Sequence, residues 1–132
     1  MIRTRLKPSK LHAGGVGVFA ILPIKKGTVV FDTFASETVS IPREHFKRLP
    51  KAVQKMYTDF AMQVGTNYLP PRDFTKMGMF WYICHSDKPN CYYVEGEAYM
   101  AKRNIRAGEE LSVDYRLFGK RSKVGDVKLL PK

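Results

Sequence analysis

Apolar and polar positions alternate at first with a period of two. Ile2-Arg3-Thr4-Arg5-Leu6 sets apolar or β-branched residues against basic ones, the pattern of a half-buried strand. Ala13-Gly14-Gly15-Val16-Gly17 predicts a loop, and Val16 to Ile21 a second strand. Turn residues Pro23-Ile24-Lys25-Lys26-Gly27 lead into a β-branched strand from Thr28 to Phe34. The period then changes. Leu49, Ala52, Val53, Met56, Tyr57, Phe60 and Ala61 fall at three- and four-residue steps, which predicts one amphipathic helix with Pro50 in its first turn. The prolines at 70–71 predict an irregular stretch from Tyr68 to Asp73. Next comes an aromatic-rich strand from Met79 that runs through Cys84-His85 into a polar turn, Ser86-Asp87-Lys88-Pro89-Asn90. Tyr92 to Met100 reads as a hairpin with Glu95-Gly96-Glu97 at its tip; the strand ends at Arg103, and Leu111 to Tyr115 forms another after a Gly108 turn. The tail has little periodicity and is expected to fray. The fold is mostly β, with many short strands and one clear helix.

One device occurs twice. Val18-Phe19-Ala20, Ile24-Lys25 and Gly27 line up with Tyr99-Met100-Ala101, Ile105-Arg106 and Gly108 at a constant offset of 81. Each copy is a strand, a turn and a glycine supplying a conformation that side chains resist.

Composition bounds the class. At 132 residues, 44% hydrophobic and 12% aromatic, the chain makes one ordinary domain whose core needs no disulfide or metal. Cys84 and Cys91 supply neither a disulfide framework nor a four-ligand zinc site. No apolar run approaches the ~18 residues of a membrane span. A soluble intracellular protein is therefore expected, cytoplasmic or nuclear, with no membrane partner. The formal charge of +11 is unevenly placed. Residues 1–12 hold four basic residues and no acid, and residues 116–132 hold six basic residues and one acid, so the ends carry +9 and the body +2. Such ends suit either simple solubility or a phosphate-bearing partner.

Taken singly, the candidate chemistry is modest. Gly14-Gly15-Val16-Gly17 allows close approach of a ligand but also fits a plain turn, and it is no dinucleotide fingerprint because a strand follows it. Cys84 and His85 are adjacent on a strand and so point to opposite faces, which argues against a thiol nucleophile with its base. His85 fits a hydrogen-bonded packing residue better than a metal ligand, and His12 and His45 stand in polar surroundings. Glu109 and Glu110 are expected in solvent, and Tyr115 with its ring buried and its hydroxyl wet.

In combination these segments are specific. Gly15-Val16-Gly17-Val18-Phe19-Ala20, then Cys84-His85-Ser86-Asp87-Lys88-Pro89-Asn90, then Gly108-Glu109-Glu110-Leu111-Ser112-Val113-Asp114-Tyr115 resemble the G-x-G, N-H-S-x-x-P-N and E-L-x-x-D-Y segments of the SET domain, in its order and spacing. The resemblance implies a SET domain over 1–118, with a variable helical insert at about 40–75 that walls the substrate groove, and a basic tail at 119–132. It implies a fold of several small β-sheets with a pseudoknot-like threading of the last segment, a rare arrangement that brings His85 beside Tyr115.

The resemblance further implies S-adenosylmethionine-dependent methyl transfer to a lysine of a protein, by in-line displacement in a narrow channel. Carried over by position, Tyr115 is the catalytic tyrosine. Gly15, Val16, Gly17, Cys84, His85 and Tyr115 hold the cofactor, largely through main chain, and Asn90 holds the loop. Tyr82 is assigned to the lysine channel wall. The family's asparagine is Cys84 here, and a thiol is a poor donor. No cysteine cluster follows the domain, so Phe118, a second subunit or the target covers the channel. The substrate is expected to be a lysine-containing protein, histone-like or ribosomal. Acids such as Asp73, Asp87, Glu95 or Glu97 are expected to serve the groove, with the basic ends lying away from it as a tether to nucleic acid. The competing reading is a weak or inactive SET-fold binding module that docks to nucleic acid or an acidic partner through those ends.

Overall fold

A computed structural model describes residues 3–32, 38–60, 62–64, 66–94, 98–115 and 127–129. In chain order, the strands of the first half are β1 Thr4–Pro8, β2 Val16–Ala20, β3 Val29–Phe31 and β4 Ile41–Pro42. Two helices follow, α1 Arg43–Arg48 and α2 Lys51–Phe60, and then β5 Met62–Val64 and β6 Asn67–Leu69. After two 3-10 turns come β7 Cys84–His85, β8 Cys91–Val94, β9 Ala98–Ala101, β10 Ser112–Val113 and β11 Val127–Leu129. The strands make four small sheets, ordered β1-β2, β10-β7, β3-β9-β8 and β11-β5-β6-β4. The mostly β reading of the sequence is correct.

The chain divides into two compact units. The first joins 1–33 to 78–115. Its core is aliphatic and dense: Val18, Phe19, Ile24, Ile105, Leu111 and Val113 are each at most 1% exposed. β10 lies parallel to β7, Ser112 opposite Cys84 and Val113 opposite His85, while its approach is pinned to β2 by the Leu111 amide donating to the Val18 carbonyl at 2.7 Å. The last segment thus runs from one small sheet to another, the course expected of the threading.

The 81-residue echo pairs with itself. Ile24 and Ile105 exchange both main-chain hydrogen bonds at 2.8 Å. Gly27 donates to Ala101, and its counterpart Gly108 donates to Ala20, at 2.8 and 2.7 Å. The Ala101 and Ala20 amides then donate to Thr28 and Glu109, both at 2.9 Å. Each bond maps onto the other by the same offset, so the two copies face each other across a local two-fold. Gly27 and Gly108 take φ of +82° and +89°, where an added Cβ would meet open space. A substitution therefore meets backbone strain and no collision. Gly27→Ala and Gly108→Ala should each lower stability by about 1–2 kcal/mol. Urea midpoints read this, and unequal losses would count against the equivalence of the two turns.

The second unit joins 34–77 to 116–132. Its described side chains form an aromatic stack: Phe46 lies 4.0 Å from Tyr68, centroid to centroid, and Tyr57 lies 5.3 Å from Phe74. The helix expected over 49–61 is α2, Lys51–Phe60, and the short α1, Arg43–Arg48, precedes it without having been expected. Leu49 is extended, with ψ at 152°, because the following proline disfavours the helical region. Pro50 accepts the first hydrogen bond of α2 from Gln54 and so precedes the first turn. Val53 and Met56, from the apolar stripe of the expected helix, are exposed, while Tyr57 and Phe60 face Phe74.

Other boundaries moved. Met79–Tyr82, expected to be strand from its aromatics, is a 3-10 turn, and the strand begins at Cys84. Tyr68 and Leu69, expected to be irregular, belong to β6, which stops where the prolines begin. β1 is shifted to Thr4–Pro8, with Thr4 its one buried residue. The tail, expected to fray, contributes β11, antiparallel to β5.

Candidate functional site

The site begins with a ladder that stops. The Ser9 amide donates to the Gly15 carbonyl at 2.9 Å, so Ser9 and Gly15 are a hydrogen-bonded pair of the antiparallel β1–β2 ladder. Its next position, Pro8 opposite Val16, is then a non-hydrogen-bonded pair. The amide and carbonyl of Val16 therefore point off the far edge of β2, and its side chain is 45% exposed. Gly14, with φ of +77°, has nothing within 4 Å of where a Cβ would stand. This turn offers main chain at an open surface.

Cys84 faces that edge. It is buried, with its Sγ 3.6 Å from the carbonyls of Val16 and Tyr82 and 3.4 Å from the Ser9 hydroxyl. His85 points the other way, as strand geometry requires. Its Nδ1 accepts the Tyr115 amide at 3.1 Å, which puts the ring proton on Nε2, 3.2 Å from an Asp87 carboxylate oxygen. The Asp114 carboxylate stands 3.7 Å from Nδ1.

Tyr115 completes the junction. Its ring centroid is 5.3 Å from that of His85, and its hydroxyl donates to the Ile83 carbonyl. Burial, then the nearby Cys84 and Tyr99, push its pKa well above the ordinary tyrosine value, so the phenol keeps its proton at neutral pH. The hydroxyl expected to be wet is thus held inside the fold. Cys91 is buried and its thiol is pushed up to about 12, chiefly by burial, which leaves it inert. Neither cysteine is in a disulfide.

Several residues behind this surface matter more than their sequence suggested. Glu109 and Glu110, expected in solvent, are both engaged. Glu110 accepts from the Ser9 hydroxyl and the Lys10 amide, each at 2.6 Å, and its carboxylate fills the place where a side chain on Gly17 would go. Ser9 in turn accepts from the Leu11 and His12 amides, at 3.0 and 2.9 Å, which fixes the turn leading to Gly15. Asn90, 3% exposed, donates to the Glu110 carbonyl at 2.8 Å and accepts the Ser112 amide at 2.9 Å. No local signal marks Ser9; its bond to Glu110 spans 101 positions.

Of the remaining candidates, Tyr82 is half-buried at the end of a 3-10 turn and turns its carbonyl to Cys84. Asp73 caps a 3-10 turn through Thr75, whose hydroxyl and amide hold its carboxyl below the usual range. Phe118, Glu95 and Glu97 lie outside the described residues. Among the described residues no group of His, Cys, Asp and Glu could hold a metal ion, and no helix is long and apolar enough to cross a membrane.

Small sheets, a parallel β7–β10 pair and a tyrosine just after β10 beside a histidine are the features of a SET fold. The SET domain model matches residues 15–116, and the chain belongs to the SET domain family. The histone-lysine N-methyltransferase ATX2 of Arabidopsis thaliana is 31% identical over 131 residues, a match covering 88% of this chain and 11% of that protein. The chain thus spans about a tenth of the length of that curated relative. A crystal structure from Plasmodium falciparum, of a protein provisionally named a histone methyltransferase, superposes with a TM-score of 0.55 at 25% identity, covering 87% of this chain and 94% of that one.

Proposed function

We propose that this chain is a protein-lysine N-methyltransferase that uses S-adenosylmethionine. The observation that carries the reading is the placement of Tyr115 in a SET-family chain, its hydroxyl fixed on the Ile83 carbonyl and its ring against His85. The residues present fit the cofactor. Val16 presents main chain off an open edge, and Cys84 and His85 follow on the strand that faces it. When bound, S-adenosylmethionine supplies an activated methyl on a sulfonium sulfur.

The protein's own contribution is then orientation and dryness. Gly15, Val16 and Gly17 would hold the amino-acid end of the cofactor through main chain, with Cys84 and His85 beside it. Because its O–H is spent on Ile83, the Tyr115 oxygen offers lone pairs to a lysine N–H or to a polarised methyl C–H. A phenol that stays protonated is no general base. The target lysine would instead lose its proton through desolvation and repulsion by the sulfonium charge, in a channel with Tyr82 in its wall. The catalytic domain would cover 1–118 with its insert at about 40–75, and Phe118 would help to close the channel.

The substrate we infer is a lysine-rich protein of histone or ribosomal type, which puts the site of action in the nucleus or cytoplasm. The relative from Arabidopsis, named for histone lysine, supports that class. Purified chain should transfer labelled methyl from S-adenosylmethionine to core histones; no cofactor binding by calorimetry would sink the proposal.

Cys84 offers a second test. Its thiol sits between the Val16 and Tyr82 carbonyls, where an amide N–H₂ would find acceptors. Cys84→Asn should tighten cofactor binding about ten- to a hundredfold, the effect of one charge-assisted hydrogen bond of about 1.5–3 kcal/mol. Unchanged affinity in the same titration would show that main-chain contacts suffice.

A further inference from the structure

Within the first unit lies a cavity of about 540 Å³, between the 86–90 turn and the 103–110 turn. Neither Val16, Cys84 nor Tyr115 lines it. Its walls carry four cations from three separate stretches of chain: Lys10, Lys88, Arg103 and Arg106. Its two acids are already committed. Glu110 is bonded to Ser9 and the Lys10 amide. Glu109 accepts from Arg103 at 3.0 Å and from the Arg106 amide at 3.1 Å. Burial alone would raise the Glu109 pKa; those two bonds outweigh it and hold the carboxyl below its usual value, so the charge stays with Arg103. Among the described residues, Lys10, Lys88 and Arg106 form no ion pair. The near-neutral body and the basic amino-terminal stretch therefore meet here in one cationic hollow.

We propose that this hollow binds the phosphate backbone of nucleic acid, independently of methyl transfer. Three unpaired cations facing a concave space are matched by a polyanion and by little else. The basic run continues beyond the hollow, since Arg3, Arg5 and Lys7, two residues apart and all exposed, precede Lys10 in the chain. That makes a track longer than one phosphate. An acidic peptide would gain its specificity from apolar anchors, and Leu11 and Ala107 are the only carbon-rich side chains in the lining. No aromatic platform lines the hollow for bases to stack on, so the binding is independent of base sequence and dominated by salt.

The test uses the full chain, without cofactor, and a fluorescent single-stranded RNA oligonucleotide read by anisotropy. Affinity is followed from about 50 to about 200 mM salt. Three phosphate contacts on a single strand contribute a slope of about −2 in log affinity against log salt, or close to a twenty-fold loss over that range. The variant Lys10→Gln/Lys88→Gln/Arg106→Gln should flatten the slope by that amount. Its positions are all exposed, and its urea midpoint should match the parent. Lys120→Gln/Arg121→Gln/Lys123→Gln, which removes equal charge from the tail, should leave the contribution of the hollow in place. A parental slope in the first variant overturns the proposal. So does binding of a poly-glutamate peptide that needs the three cations while the oligonucleotide does not.

Discussion

Tyr115→Phe should cut methyl transfer at least a hundredfold while leaving the protein folded and able to bind S-adenosylmethionine. The substitution removes one oxygen. In the fold that oxygen donates to the Ile83 carbonyl, and losing such a hydrogen bond costs about 1 kcal/mol of stability. In the proposed reaction the same oxygen would be the fixed acceptor that aligns the methyl and the amine, and losing such a preorganised polar contact costs about 10²–10³ in rate, or roughly 3–4 kcal/mol of barrier. Calorimetry separates the two effects, because cofactor affinity should change little while turnover collapses. The wild-type pH–rate profile supplies a further check. With the phenol held well above its ordinary value, no limb of the profile should fall at the usual tyrosine pKa. Parental turnover in the phenylalanine variant would remove Tyr115 from the chemistry.

The second large effect is structural. Asn90→Ala should destabilise the protein by about 3–5 kcal/mol, a large share of the 5–15 kcal/mol available to a domain of this kind. Asn90 is buried and serves the backbone of the last segment at two points, the Glu110 carbonyl and the Ser112 amide. Deleting it strands both groups away from water, at about 1–3 kcal/mol each. Asn90→Asp is the informative partner, since it keeps an acceptor for Ser112 and loses the donor for Glu110. It should fall between the parent and the alanine variant if each bond contributes separately. A loss under about 1 kcal/mol for Asn90→Ala would mean that the backbone groups find other partners.

What the sequence made legible was local. Gly15 to Ala20, Cys84 to Asn90 and Gly108 to Tyr115 announced themselves because each packs its chemistry into a few consecutive residues, and the family match covers all three. The echo at offset 81 was also visible as a pattern, although nothing in the pattern said that its two copies would pair. The misses share a cause. The aromatics at 80–82 favour strand by propensity, and tertiary packing makes them a 3-10 turn instead. β4, β5 and β6 are two or three residues each, too short for any period to register. The Ser9–Glu110 bond joins positions a hundred apart, and the cationic hollow gathers residues from 10, 88 and 103–106, so neither leaves a mark on any window of sequence. The contacts that hold this fold are long-range, and its family motifs are short-range.

The self-paired echo has a consequence for how the protein is made. Strand β2 and the turn at Gly27 leave the ribosome some eighty residues before their hydrogen-bonding partners Ala101, Ile105 and Gly108. Until those residues emerge, the 16–28 stretch has its outer edge open, with Val18 and Phe19 lacking the neighbours that bury them. Contacts of such sequence separation are slow to form, and an exposed strand edge invites pairing with another chain. Nascent chains stalled before about residue 105 should therefore be the species that aggregate or recruit holding chaperones, and emergence of the 101–111 stretch should be what commits the first unit to fold.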